Sequence, residues 1–230
     1  LRDLKRIIHT TAVVNDPSDE YWVRNAHGRM YNPWYGFGQI DAAGAVSAAR
    51  TWTRLQPAKE LCSSDWVGKL PLDSGFVTIP FATLETDIYG IDEVRVFVDI
   101  KHEQRGDISL VVISPYQTRS VLTFPIPDDY SMHTSSFVAH SYLTHSFSGE
   151  YGPSTGWRLE IADTSRRGHL MRMNICVKGD VNPFMYPSPP PHAIPKSLFP
   201  INSAEGIVIV RSVMWGFVML AYVVLVVTYC

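Results

Sequence analysis

A serine flanked by glycines is the first place to look for chemistry in this chain. Residues Gly152 to Gly156 read GPSTG, the GxSxG spacing of a nucleophile elbow around Ser154. An elbow needs a strand before the serine and a helix after it, so that the hydroxyl stands on a sharp turn beside a base. Here Pro153 precedes the serine and the strand-like run WRLEIAD follows it. The expectation is a surface turn between strands.

His133, His140 and His145 raise the question of a metal. Their spacings fit no i, i+4 helical pair, and no cysteine or carboxylate joins them in a ligand pattern. They read as a solvated loop. Asp128 and Asp129, in PIPDDY, read as a charged turn rather than a cation site. Arg105-Gly106-Asp107 spells an adhesion tripeptide. A permissive glycine and a turn-forming aspartate ahead of the apolar run ISLVVIS account for it without a receptor. No catalytic, cofactor-binding or metal-binding residue is assigned from these patterns.

The elements that hold these residues fall into distinct regions. Leu1, Leu4, Ile7 and Ile8 recur at helical spacing, which predicts a short amphipathic helix. Gly36 and Gly38 mark a tight backbone in NPWYGFGQID. Asp41 is a good N-cap for AAGAVSAARTW, a helix with the small face Ala42, Ala45, Val46 and Ala49. Residues 1–53 thus hold two helices and a glycine-rich turn, with no sheet to bury them, and are expected to be loose in this chain alone.

Beyond Cys62 the pattern turns to β. FVTIPF (76–81) and SVLTF read as short strands, and DEVRVFVDI directs Val94, Val96, Val98 and Ile100 to one face. The run DISLVVIS is apolar enough for a strand buried on both faces. Trp157, Leu159 and Ile161 share a face, as do Met171, Met173, Ile175 and Val177. Short strands joined by polar turns predict an all-β sandwich.

Seven prolines between residues 181 and 205 predict an extended stalk. From Ile207 to Tyr229 run 23 residues whose one charge is Arg211. At 1.5 Å per residue such a helix spans a bilayer core of about 30 Å. Lys196 and Arg211, both on the amino side of that core, weakly favour a cytoplasmic amino side. The chain opens on LRDLKRIIHTTA, with no signal peptide and no methionine, which is the expectation for the carboxyl part of something longer.

A chain of 230 residues is long enough for one or two cored domains. A net charge of −2 excludes a general attraction to nucleic acid. Three cysteines make no disulfide scaffold, and no Asn-x-Ser/Thr sequon is present.

Taken together, RGDISLVVISPYQTRSVL and HSFSGEYGPSTGWRLEIADTSRRGHLMRMNICVKG resemble the P domain (P/Homo B) of the kexin- and furin-like proprotein convertases. The matching points include Gly149-Glu150, Gly156-Trp157, Leu159, Ile161, Asp163, Gly168, Leu170 and Gly179. Upstream, YGFGQIDAAGAVSAARTW resembles the last strand-turn-helix of those enzymes' subtilisin-like catalytic domain, and LRDLKRIIHTTA resembles the helix before it. Three departures stand out. Phe147-Ser148 replaces a Trp-Gly type pair, Gln117 replaces a turn glycine that commonly has positive φ, and Cys62 lacks its usual partner near Val77 to Leu84. A Cys62–Cys176 bridge is the substitute left open.

The resemblance implies a mostly β fold: a jelly-roll-like sandwich preceded by a two-helix remnant of a subtilisin-like α/β domain and followed by one transmembrane helix. It divides the chain into catalytic-domain remnant (1–53), P domain (54–180), stalk (181–205) and span (206–229). It implies a calcium-dependent serine endopeptidase that processes secretory precursors at basic sites. The triad, the oxyanion donors and the calcium ligands belong to segments not in this sequence, so no cofactor is assigned to this chain. The implied partners are its own catalytic domain, membrane lipid and precursor substrates. The implied location is a type I membrane protein of the secretory pathway, Golgi or trans-Golgi, with the β-module lumenal. The alternatives are a non-catalytic membrane-tethered β-sandwich that binds through a surface such as Arg105–Asp107 and, more weakly, a hydrolase built on Ser154.

Overall fold

The computed structural model describes residues 1–126 and 137–181, without the side chains of 137–139. The expected stalk and span, with Asp128, Asp129 and His133, lie outside the described residues. Among those residues no helix is long and apolar enough to cross a membrane.

In chain order the elements are α1 (Arg2–Thr11), β1 (Val23–Arg24), β2 (Met30–Tyr31), α2 (Ala42–Arg50), β3 (Lys59–Cys62), β4 (Trp66–Pro71), β5 (Phe76–Pro80) and β6 (Gly90–Lys101). A 3-10 turn (Arg105–Asp107) leads to β7 (Ile108–Ile113), followed by β8 (Arg119–Thr123), β9 (Phe137–Thr144), β10 (Arg158–Asp163) and β11 (His169–Asp180). One antiparallel sheet runs β5-β10-β7-β8. A second runs β9-β6-β11, with β3 and β4 sharing the far edge of β11. The chain changes sheet between β4 and β5, β5 and β6, β6 and β7, β8 and β9, β9 and β10, and β10 and β11. This is the expected mostly β sandwich.

Alternation builds the core. Val94, Val96, Val98 and Ile100 of β6 meet Leu110 and Val112 of β7 and Leu159 and Ile161 of β10 in one buried cluster, closed by Trp157 against Phe147. Burial of this many β-branched side chains from two facing sheets is the main favourable term in the fold. Phe147, one of the departures from the resemblance, fills this core with its ring edge-on to Trp157 at 5.3 Å.

Four expectations are corrected. On β11 the register shifts between Leu170 and Arg172, so Leu170 faces inward and Met171 outward; the bulge breaks the simple alternation. β7 is buried on one face only, with Ser109 and Val111 half-exposed on the other. His140 sits on β9 opposite Val98, not in a loop. The run FVAHSYLT has no clean polar–apolar alternation, and it becomes a strand by pairing with β6.

The fourth correction concerns residues 1–53. They include a small hairpin, β1–β2, and much of the segment is fastened to the sandwich. On α1 the buried residues are Ile7 and the charged Arg6, while the apolar Leu1 and Leu4 are exposed. Only α2 keeps the uncovered face that was expected, with no buried residue and Val46 exposed. Asp41 caps it as foreseen, accepting from the Gly44 N–H at 2.9 Å. Gly36 and Gly38 both adopt positive φ.

Candidate functional site

Ser154 does not sit on an elbow. Its backbone N–H donates to Asp87 at 2.7 Å, its carbonyl accepts from the Leu84 N–H, and β10 rather than a helix follows. The other oxygen of Asp87 takes the Tyr151 hydroxyl, and among the described residues no imidazole is bonded to the serine. The Arg105–Asp107 tripeptide is a closed 3-10 turn with Gly106 buried, its carbonyl accepting from Ile126 N–H and that of Asp107 from Thr164 N–H. A tripeptide tied down in this way is not presented as an extended ligand.

A Ser–His–Asp convergence elsewhere gave no signal in the sequence. His102 Nε2 lies 3.2 Å from Asp163 Oδ1 and 3.0 Å from Ser165 Oγ. The geometry excludes a triad. His102 Nδ1 accepts the Gln104 N–H at 2.8 Å, so Nε2 carries the proton. It therefore has no lone pair for Ser165, whose hydroxyl donates to Asp163 at 3.0 Å. This cluster is a clasp for the β10–β11 turn. Burial raises the Asp163 carboxyl, but the Gly168 N–H, the Ser165 hydroxyl and the Arg166 N–H outweigh it and hold it below its usual range.

The candidate site is the seam between the amino-terminal segment and the sandwich. At its centre Glu150, 1% exposed, accepts from Ala26 N–H at 2.8 Å and the Thr118 hydroxyl at 2.5 Å, both on Oε1. Among the described residues Oε2 is sealed from water without a hydrogen-bond partner. Burial pushes the carboxyl up to about 7, against the pull of the Thr118 hydroxyl, the Ala26 N–H and the nearby Ser114 hydroxyl. Beside it the Asn25 amide donates to the carbonyls of Ser146 and Ser148, and its oxygen accepts from the N–H groups of His27 and Arg29. Gly149 has φ 87°, and a Cβ there would lie 2.6 Å from the His27 ring. Conformation and close approach both require glycine.

Charge completes the seam. Arg6 donates to the Ile91 carbonyl at 2.9 Å and to Asp92 at 2.5 Å; Arg2 reaches the other Asp92 oxygen. His9 stacks on Phe37 and faces His145, whose Nδ1 pairs with the Asp92 carbonyl at 3.1 Å. Burial, then the neighbouring His145 and Arg29, pull His9 down to about 4; burial and Arg29 do the same to His27. Among the described residues no three metal-capable side chains converge. What the seam does chemically is hold two pieces of chain in one register. The bonds from Asn25 to Ser146 and Ser148, from Ala26 to Glu150, and from Arg6 to Ile91 and Asp92 all form only in that register.

Two of the three departures are resolved here. Gln117 takes φ 66°, keeping the left-handed turn, and its side-chain oxygen accepts from Arg158 at 2.5 Å. Cys62 and Cys176 face each other on β3 and β11 and are disulfide-bonded. Gly149-Glu150, chosen as points of resemblance, become the centre of the seam. Arg6, Asn25 and Asp92 were missed, because a charged or amide side chain in a short segment gives no sign that it is buried.

The family model for the proprotein convertase P-domain matches residues 91–175. A PC3-like endoprotease, variant B, from Hydra vulgaris is 34% identical over 179 residues, 75% of this chain and 25% of that protein. Furin from Bos taurus is 28% identical over 198 residues, 82% of this chain and 24% of furin. The chain thus spans about a quarter of the length of these relatives. Among solved structures, the serine protease of Aeromonas sobria superposes with a TM-score of 0.68 at 22% identity, over 78% of this chain and 40% of that one, which shows a shared fold. Sandwich, seam and relatives agree: the chain belongs to the kexin/furin-like proprotein convertases and carries their P domain.

Proposed function

We propose that this chain is the carboxyl portion of a calcium-dependent, subtilisin/kexin-type serine endopeptidase that processes secretory precursors at basic sites. Its own part is to dock and stabilise the catalytic domain. The observation that carries this reading is the seam. Residues resembling the end of a catalytic domain are locked onto the sandwich by the buried Glu150, Asn25 and Arg6, while the same segment leaves Leu4, Ile40 and Val46 exposed to solvent. An apolar face on a segment held this firmly fits a further layer of the same domain packing over it.

The remaining parts of the reading rest on sequence. Residues 206–229 are a membrane span, residues 181–205 its stalk, and the sandwich lies on the lumenal side of a Golgi or trans-Golgi membrane. Calcium and the triad belong to the catalytic domain. The test is to produce the longer protein that contains this chain and assay it on a fluorogenic peptide with a basic pair, with and without EDTA. Cleavage after the pair that EDTA abolishes is the expected result. A folded longer protein that lacks the Ser, His and Asp segments, or leaves the peptide intact, overturns the reading.

A further inference from the structure

The turn between β10 and β11 carries an exposed arginine pair, Arg166-Arg167, followed by Gly168. As a sequence, SRRG offers a cleavage site to an arginine-directed endopeptidase. As a structure it is closed. Asp163 Oδ1 accepts from Ser165 N–H at 3.0 Å and Arg166 N–H at 2.9 Å; Oδ2 accepts from Arg167 N–H at 3.0 Å and Gly168 N–H at 2.8 Å. The two preceding N–H groups are also taken: Asp163 donates to the Gly75 carbonyl and Thr164 to that of Asp107. Six consecutive backbone donors are thus occupied. Arg166 is bent to φ 59°, and Gly168 is buried, where a Cβ would meet the His102 ring at 2.7 Å.

An endopeptidase binds its substrate as an extended strand and uses that strand's backbone hydrogen bonds. The Arg167–Gly168 bond offers neither the shape nor the donors. We propose that Arg166-Arg167 is a latent dibasic cleavage site, kept shut by the Asp163 clasp. In a protease that cuts at basic pairs, the clasp protects the enzyme from its own kind. That last step rests on the function proposed above; the clasp itself does not. On opening, water adds across the Arg167–Gly168 amide. The C–N bond breaks, hydroxyl goes to the carbonyl carbon and hydrogen to the nitrogen, leaving an Arg167 carboxylate and a Gly168 ammonium. Cleavage of a native turn follows the population of its open form, so the clasp sets the rate.

The experiment treats the full 230-residue chain with trypsin and, separately, with purified furin. The free peptide ADTSRRGHL is the unstructured reference, and mass spectrometry follows cuts at Arg166 and Arg167. In the native chain both proteases should cut this turn at least about a hundredfold more slowly than the peptide. D163N, and a second variant with two glycines inserted between Ser165 and Arg166, should restore cutting there while Arg95 and Lys101 within β6 stay intact. Those intact sites distinguish an opened turn from an unfolded chain. Native cleavage as fast as the peptide overturns the proposal, as does continued resistance of both variants. A peptide that trypsin cuts and furin ignores overturns self-protection alone. A longer protein inactive on basic peptides removes the proposed function and leaves the trypsin result standing.

Discussion

Thr118 and Glu150, 32 residues apart and both buried from water, share one short hydrogen bond at 2.5 Å. It fixes only one oxygen of a carboxyl whose pKa rises from 4.5 to about 7. A group with a raised folded pKa holds its proton after the unfolded chain has lost it. Stability from Glu150 is therefore present below about 4.5 and lost as pH rises toward about 7. His9 and His27, lowered from 6.5 to about 4, act oppositely: their contribution is present above about 6.5 and lost as pH falls toward about 4. The seam should be most stable near pH 6.5. In E150Q the decline above that pH should disappear, with a gain at pH 8 of up to about 3 kcal/mol. Urea unfolding across pH 5 to 8 measures it, and an E150Q curve parallel to the parent's would show that Glu150 does not titrate there.

Asp92 serves both Arg2 and Arg6. Arg6 is 3% exposed, so removing its carboxylate leaves a charge in the seam, whereas removing Arg6 leaves Asp92 partly solvated with Arg2 still beside it. D92A should cost about 3–5 kcal/mol and R6A distinctly less. Denaturant midpoints at pH 7 give the order; equal losses would contradict it.

The Cys62–Cys176 bridge closes a separation of 114 residues and pins β3 to β11. Replacing both cysteines with serine should cost about 2–5 kcal/mol, chiefly by freeing the unfolded chain. The loss should match that of the parent chain under reductant, compared by thermal unfolding.

Gln117 sits at φ 66°, where an L side chain is strained by roughly 1 kcal/mol. Q117G should raise stability by about 0.5–1 kcal/mol despite losing the exposed contact with Arg158. Q117V should lower it, since a β-branched residue tolerates that conformation least. Melting temperatures of the two variants should move in opposite directions.

Strands whose inward positions are filled by Val, Ile, Leu and Trp were legible because alternation is local: β6 and β10 lie as read. The cap at Asp41 and the turns at Gly36 and Gly38 were legible for the same reason, since each depends on its near neighbours. The bulge at Leu170–Arg172 was not, because register is settled by two partner strands at once. Nor was β9, whose run FVAHSYLT lacks clean alternation and becomes a strand by lying against β6.

The seam marks the limit most clearly. Sequence by itself determined the sandwich pattern, the capped helix and, through the resemblance, the kind of protein. It marked Gly149-Glu150 and Asp163 as points to watch without saying what they do. Tertiary structure decided that Glu150 is buried against Ala26 and Thr118, that Arg6 rather than Leu4 faces inward, and that Asp163 clasps the turn of Arg166-Arg167. Apolar alternation follows from one segment's own spacing. The burial of a charge depends on which distant donors surround it, and only the folded chain brings those together.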